Sequence, residues 1–427
     1  MLVIGAGVIG SAVALEFARS GRCVTVVDKA GVPGAGSTSS SSSIIRFSYS
    51  TLDSVLTAWE SAPAWRDWET YLGTRDPDGM CRFIETGMLL FDTPEFSFTR
   101  ITDLWDHVGI DYEMLQTEQI AARFPQLDVG RFFPPKPVDD PSFADDAHGT
   151  LTAIFEPRAG FVDDPMLAAR NIAFAAAQHG ATFRFHADVV GVEFSDGRVA
   201  GVRLADGEVV EAPVVINVGG PHSAILNTLA GAHTDMTIHH RPLRQEVFAV
   251  PAPAGLRLDD GAPIVSDLDI GQYFRPQMGG TLLVGGTEPA CDALEWVDDP
   301  DQYDEQTSVE RFETTMYRLA RRVPEFGVPH RPAGLAALYD VADDWVPIYD
   351  RSSVPGWYMA CATSGNQFKN APIAGKFMVA IVDAVEGGRD LDRDPVQFVG
   401  EHTGRPIDLG AFSRRRTPAS TSGTVMG

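Results

Sequence analysis

Three glycines and one acid indicate the first chemistry this chain can do. Gly5, Gly7 and Gly10, in the run Gly5-Ala6-Gly7-Val8-Ile9-Gly10, have the spacing of a phosphate-binding turn, and Asp28 stands at the end of the next apolar run. The first glycine permits a tight turn, the second lets backbone approach a pyrophosphate, and the third lets a helix pack closely on a strand. A helix starting there offers unpaired N–H groups and partial positive charge to phosphates. A carboxylate at Asp28 is placed to accept hydrogen bonds from a ribose. The chemistry is dinucleotide binding.

The surrounding elements must hold those residues. Leu2-Val3-Ile4 reads as a buried strand, Ser11 to Arg19 as a helix closed by Gly21, and Cys23 to Val27 as a second strand. The run Gly36-Ser37-Thr38-Ser39-Ser40-Ser41-Ser42-Ser43 has the composition of a flexible linker. Its position, one loop beyond the dinucleotide unit and leading into Ile44-Ile45-Arg46, suits a loop in which small hydroxyl residues approach a flat ligand. Val214 to Val218 is a strand ending on Gly219-Gly220-Pro221, and Trp357 to Ala362 is another, followed by Thr363-Ser364-Gly365-Asn366-Gln367-Phe368-Lys369 and a helix from Pro372 to Val385. In each, a small-residue loop follows a strand, as in the opening unit, with a plain turn as the competing account at Gly219.

Elsewhere the pattern predicts a helix over Leu56 to Leu72 with its tryptophans packed in the core, and a strand over Phe83 to Phe91. Helices are expected over Thr117 to Phe124, Pro165 to His179 and Ser308 to Arg322. Residues 132–146 read as a proline-rich surface loop. Asp-Gly turns at Ser195-Asp196-Gly197 and Ala205-Asp206-Gly207 predict two strand pairs, Ala181 to Phe185 with Val189 to Phe194, and Val199 to Leu204 with Val209 to Glu211. Arg241 to Val250, Tyr273 to Pro276 and Thr281 to Val284 suggest a second, antiparallel sheet. The Ser/Thr/Gly-rich tail beyond Phe412 is expected to be disordered.

A chain of 427 residues with 44% hydrophobic content can form two or three domains, and a formal charge of −24 argues against a nucleic-acid partner. Cys23, Cys81, Cys291 and Cys361 lack metal-ligand spacing and read as reduced thiols of a cytoplasmic protein; no metal site is expected. No run of 18 or more apolar residues suggests a membrane span, and a first strand beginning at Leu2 leaves no room for a signal peptide.

Five motifs together resemble the D-amino-acid oxidase superfamily of FAD-dependent enzymes, especially its sarcosine oxidase and dimethylglycine dehydrogenase branch. They are Val3 to Gly10, the Gly36-to-Arg46 loop, Asp188-Val189-Val190, Asn217 to Ser223, and Ser364 to Lys369. The resemblance implies an α/β (α+β) fold: a discontinuous Rossmann-like FAD-binding domain from residues 1–83, 151–230 and 336–411, and a mixed-sheet or antiparallel-sheet substrate domain from 84–150 and 231–335. It implies FAD, expected to be non-covalent because Ala337 replaces the attaching cysteine, with Gly5, Gly7 and Gly10 at the pyrophosphate, Asp28 and its neighbour Lys29 at the adenosine, and Val189 at the adenine. Ser37, Thr38, Ser42 and Ser43 would line the diphosphate and flavin, Gly219 and Gly220 would let the cofactor approach, and Gly365, Asn366, Gln367, Phe368 and Lys369 would run along the flavin ring. Arg46 and Lys369 match positions that clamp a substrate carboxylate, and Tyr273 falls near the substrate.

Departures from the family pattern shape the expected activity. Gly365-Asn366-Gln367 replaces a frequent Gly-His-Gly, Leu283 stands where a lysine promotes reaction with oxygen, Ala337 where a cysteine binds FAD covalently, and Thr287 where an active-site histidine is common. The expected reaction is oxidation of the C–N bond of a secondary or tertiary amine, foremost an N-alkyl amino acid, to an imine by hydride transfer to the flavin. Oxygen or another acceptor would take the electrons; a non-catalytic flavoprotein subunit is the alternative outside catalysis.

Overall fold

Burial on both faces explains why the first strands are short apolar runs: in the computed structural model, which describes residues 1–94 and 98–426, Leu2–Ile4 sits inside a six-stranded sheet. Its order is Ile348–Arg351, Trp357–Cys361, Val215–Asn217, Leu2–Ile4, Thr25–Val27, Thr182–Arg184, with every pairing parallel except that of the first two strands. Helices Val8–Arg19, Pro165–Gln178 and Ala371–Glu386 pack together beside it, the alanine-rich second helix allowing a close approach to the first. Gly375 lies where this packing is tightest, since a Cβ there would stand 2.5 Å from the Ala12 carbonyl oxygen.

A second, nine-stranded mixed sheet is built around the long strand His240–Pro251, which pairs with Thr281–Gly286, Glu295–Trp296 and Gly334–Ala342. Gln272–Gln277, Ile264–Asp267, Met88–Phe91, Ala153–Glu156 and Glu113–Leu115 complete it. Helix Val309–Arg322 covers one face, with Phe312, Met316 and Leu319 turned into the core. The α/β class with a Rossmann-like sheet and a mixed sheet is therefore observed. Ala153–Glu156, from segment 151–230, joins the second sheet, and so do residues 336–342, from segment 336–411, as part of Gly334–Ala342.

Several expected elements are corrected. Phe83 to Phe91 is two strands in different sheets, because Gly87, with φ of +71°, turns the chain between them. The long tryptophan helix breaks at Asp67 into Leu52–Arg66 and Trp68–Leu72. The strand expected from Ala181 to Phe185 does not pair with its sequence neighbour; Thr182–Arg184 lies parallel to Thr25–Val27, while Val189–Ser195 pairs with Arg198–Leu204.

The largest correction concerns the tail. Arg414 is buried and donates to Asp235, Asp350 and Asp392, and Arg416 pairs with Asp344. Val425 and Met426 are also buried. Polar composition gave no hint of these acids, which come from distant segments and hold the tail's arginines by charge, while Val425 and Met426 pack into the apolar core. The tail's last position, Gly427, and residues 95–97 of segment 84–150 lie outside the described residues.

Candidate functional site

One cavity of about 740 Å³ collects every site residue named from the sequence, from Gly5, Asp28 and Lys29 at one end to Arg46, Tyr273 and Lys369 at the other. The opening turn is fixed sterically. Gly5 has φ of +105°, and a Cβ on Gly10 would lie 2.0 Å from the Gly5 carbonyl oxygen, so this turn admits neither side chain. Gly7 caps helix Val8–Arg19 and lines the cavity with backbone alone. Asp28 stabilises the same turn: its carboxylate accepts from Ala6 N at 2.6 Å and Ala30 N at 2.7 Å while facing the cavity.

The serine run is a pinned wall. Gly34 N donates to Ala6 O, Ser39 N to Gly34 O and Ser41 N to Thr38 O, tying the loop to the glycine turn. Thr38 Oγ1 accepts from Val8 N at 3.1 Å, Ser37 Oγ donates to Leu338 O at 2.6 Å, and Ser43, with φ of +49°, donates to Val162 O. Gly219, Gly220 and Val189 border the same end, where Lys29 meets Asp301 and His222. Asp301 follows strand Glu295–Trp296 of the second sheet, so both sheets contribute to this end.

At the other end, Gly365 has φ of +68°, and a Cβ on it would enter the Tyr339 ring at 2.4 Å. Asn366 and Gln367 are buried and bonded to each other, and Gln367 Oε1 accepts from Tyr349 Oη and Asn370 Nδ2. Phe368 stacks on Trp65 at 5.2 Å, and Trp65 Nε1 donates to the Lys369 carbonyl. Tyr273 and Ser42 share a hydroxyl hydrogen bond at 2.7 Å.

Two buried cations mark this end. Arg46 donates to the carbonyl oxygens of Ser48, Val425 and Met426 and lies 4.6 Å over the Tyr49 ring. Lys369 Nζ donates to Tyr49 Oη and to Asn366 O. Burial and then the nearby Arg46 hold the lysine well below its ordinary value; burial also lowers Arg46. Glu156 stands near both cations and accepts from Phe47 N at 2.7 Å, yet burial raises its carboxyl to about 7. Tyr49, Glu156 and Tyr339 received no role from the sequence, and Trp65 only a place in the core. Tyr49 alone had a local cue, its place three residues after Arg46.

The cavity suits a dinucleotide carrying a flavin: it is long, its phosphate end is a glycine turn at a helix N-terminus, and two separate loops of small residues complete its walls. A family model described as "FAD dependent oxidoreductase" matches residues 1–381. The chain belongs to that family. The resemblance to the D-amino-acid oxidase superfamily and the expectation of FAD are thereby borne out.

Similar proteins include a glycine oxidase from Geobacillus kaustophilus (strain HTA426), 23% identical over 398 residues, which cover 91% of this chain and 94% of that one. Among solved structures, L-proline dehydrogenase from P. horikoshii superposes with a TM-score of 0.73 at 22% identity, covering 91% of this chain and 93% of its own. Iminodiacetate oxidase from Chelativorans sp. BNC1 gives 0.67 at 19% identity, covering 92% and 97%. These likenesses corroborate the fold of an FAD-dependent oxidoreductase. Among the described residues, no helix is long and apolar enough to cross a membrane, and no cluster of acids, histidines and cysteines has metal-site geometry.

Proposed function

We propose that this FAD-dependent oxidoreductase oxidises the C–N bond of a secondary or tertiary amine that also carries a carboxylate, an N-alkyl amino acid being the model substrate. Arg46 is the observation that carries the reading: a buried guanidinium in the cavity wall whose donors already meet main-chain oxygens, in a protein of strongly negative charge. Guanidinium donors bind carboxylate oxygens more strongly than neutral acceptors, so a substrate carboxylate suits this place. Lys369, held by Tyr49 and Asn366, supplies the second donor centre.

The bound flavin supplies the two-electron acceptor. The chain's own task is orientation: Arg46 and Lys369 fix the carboxylate, while Tyr273, held by Ser42, and Tyr339 border the space for the amine. No strong base is required, because a neutral amine can be selected on binding. The similar proteins' names denote a glycine oxidase, a proline dehydrogenase and an iminodiacetate oxidase, all acting on amines with carboxylates, which supports the substrate class. No cysteine lines the cavity among the described residues, which supports a flavin not attached through sulfur.

A second reading concerns the acceptor. Leu283 supplies no charge, and the Lys and Arg side chains lining the cavity are Lys29, Arg46 and Lys369, each already bonded to protein groups. That favours a dehydrogenase passing electrons to an acceptor other than oxygen. Mixing the enzyme anaerobically with N-methyl amino acids tests the main reading: bleaching of the flavin band is expected, and none with any such amine would refute it.

A further inference from the structure

The end of the segment Thr421–Met426 reaches the functional cavity. Val425 and Met426 line it together with Arg46 and Ser266, and both are buried. Arg46 Nη2 donates to the carbonyl oxygens of Val425 and Met426, each at 2.8 Å. The chain thus fills, with two of its own oxygens, the acceptor positions where a substrate carboxylate would sit.

How the tail is held differs sharply along its length. Arg414 and Arg416 are anchored by four acids, and Ala419 N also donates to Asp344. Beyond Ala419 no ion pair holds the segment: Val425 and Met426 pack against the core, and the remaining contacts are single hydrogen bonds. Thr421 Oγ1 donates to Ser50 Oγ at 3.1 Å, Val425 N to Glu288 at 3.1 Å, and Ser266 Oγ meets the Met426 sulfur at 3.4 Å. Met426 N is satisfied within the segment, by Thr424 Oγ1. Glu288 is a weak anchor, because burial raises its carboxyl to about 8 and leaves much of it uncharged at neutral pH.

We propose that Thr421–Met426 is a displaceable strap that occupies the carboxylate place on Arg46 and must leave it for a carboxylated amine to bind, a reading that rests on Arg46 as the carboxylate partner. Two neutral carbonyls make weaker partners for a buried guanidinium than one carboxylate, so the exchange favours the substrate. The firm anchor at Arg414 and Arg416 keeps the strap close, ready to return when product leaves. Apparent affinity for a carboxylate is accordingly reduced by the fraction of molecules in which the strap is seated.

Calorimetric titration of propionate, a carboxylate that cannot be oxidised as an amine, separates the possibilities in four FAD-loaded proteins: the full chain, a chain ending at Ser420, and each of these with Arg46→Met. Removing the strap is expected to tighten propionate binding about tenfold, and Arg46→Met is expected to abolish that gain. Unchanged or weaker binding by the shortened chain, with Arg46 still mattering, overturns the strap while leaving the clamp intact. Binding that ignores Arg46 in both chains overturns the clamp and the strap with it. Should the shortened chain fail to fold, Val425→Pro in the full chain removes the N–H donated to Glu288 and is expected to tighten propionate binding in the same direction; no change there overturns the strap.

Discussion

Lys369 Nζ lies 2.9 Å from Tyr49 Oη, and both groups donate to the same carbonyl oxygen, that of Asn366. The Tyr49 ring also carries the Arg46 guanidinium 4.6 Å from its centroid, so one aromatic side chain positions both cations. Tyr49→Phe keeps the ring and removes the acceptor, leaving a buried lysine one partner short. A loss of about 1–3 kcal/mol in unfolding free energy is expected by urea denaturation, and stability equal to the parent's would contradict this role.

Glu156 gives a pH signature. Its folded carboxyl titrates at about 7 against an ordinary 4.5, because burial outweighs Phe47 N–H, Arg46 and Lys369. The unfolded chain therefore ionises first as pH rises, and stability is lost across that window and stays level above it. Glu156→Gln removes this slope, so the variant should gain on the parent by roughly 2–3 kcal/mol between the two ends of the window. Parallel melting-temperature profiles for the two proteins would rule this out.

The glycine turn and the Gly365 loop should be separable from ordinary glycines by flavin content. Gly10→Ala drives a Cβ into the Gly5 carbonyl, and Gly365→Ala drives one into the Tyr339 ring. Both should purify with most of their FAD missing. Gly21→Ala, at φ of +81° with open space around it, should keep the cofactor and lose only about 1 kcal/mol of stability.

Arg414 tests the corrected tail. Its replacement by alanine leaves Asp350 buried without its cation and frees Asp235, while Asp392 keeps Arg351 and Arg415. A cost of roughly 3 kcal/mol is expected in chemical denaturation, whereas a tail that hung free in solution would give none.

The parts of the site readable in the sequence are those whose roles are local. Gly5, Gly7 and Gly10 declare a turn because the φ of +105° at Gly5 and the contact of Gly10 with the Gly5 carbonyl lie within one strand-to-helix unit, and Asp28 closes that unit. The serine run and the Gly365 loop were identified by position after a strand. What stayed hidden depends on partners far along the chain. Thr182–Arg184 chose a parallel neighbour at Thr25–Val27 over the adjacent hairpin, and Arg414 found acids at 235, 350 and 392 that polar composition cannot pair. Glu156 reads as an ordinary acid at the end of a strand until burial beside Arg46 and Lys369 gives it meaning. Trp65 was assigned to the core, and only its indole contact with the Lys369 carbonyl shows that it also steadies the site.

The central claim is that Arg46 and Lys369 recognise a carboxylate on the amine being oxidised. Anaerobic rapid mixing, following flavin reduction against concentration of an N-methyl amino acid and of the N-methyl amine lacking its carboxylate, tests it most directly in the parent, Arg46→Ala and Lys369→Ala proteins. The account predicts that each substitution raises the concentration needed for half-maximal reduction by the amino acid about tenfold or more, with little change for the uncharged amine. Equal effects on the two compounds, or none on either, would contradict it.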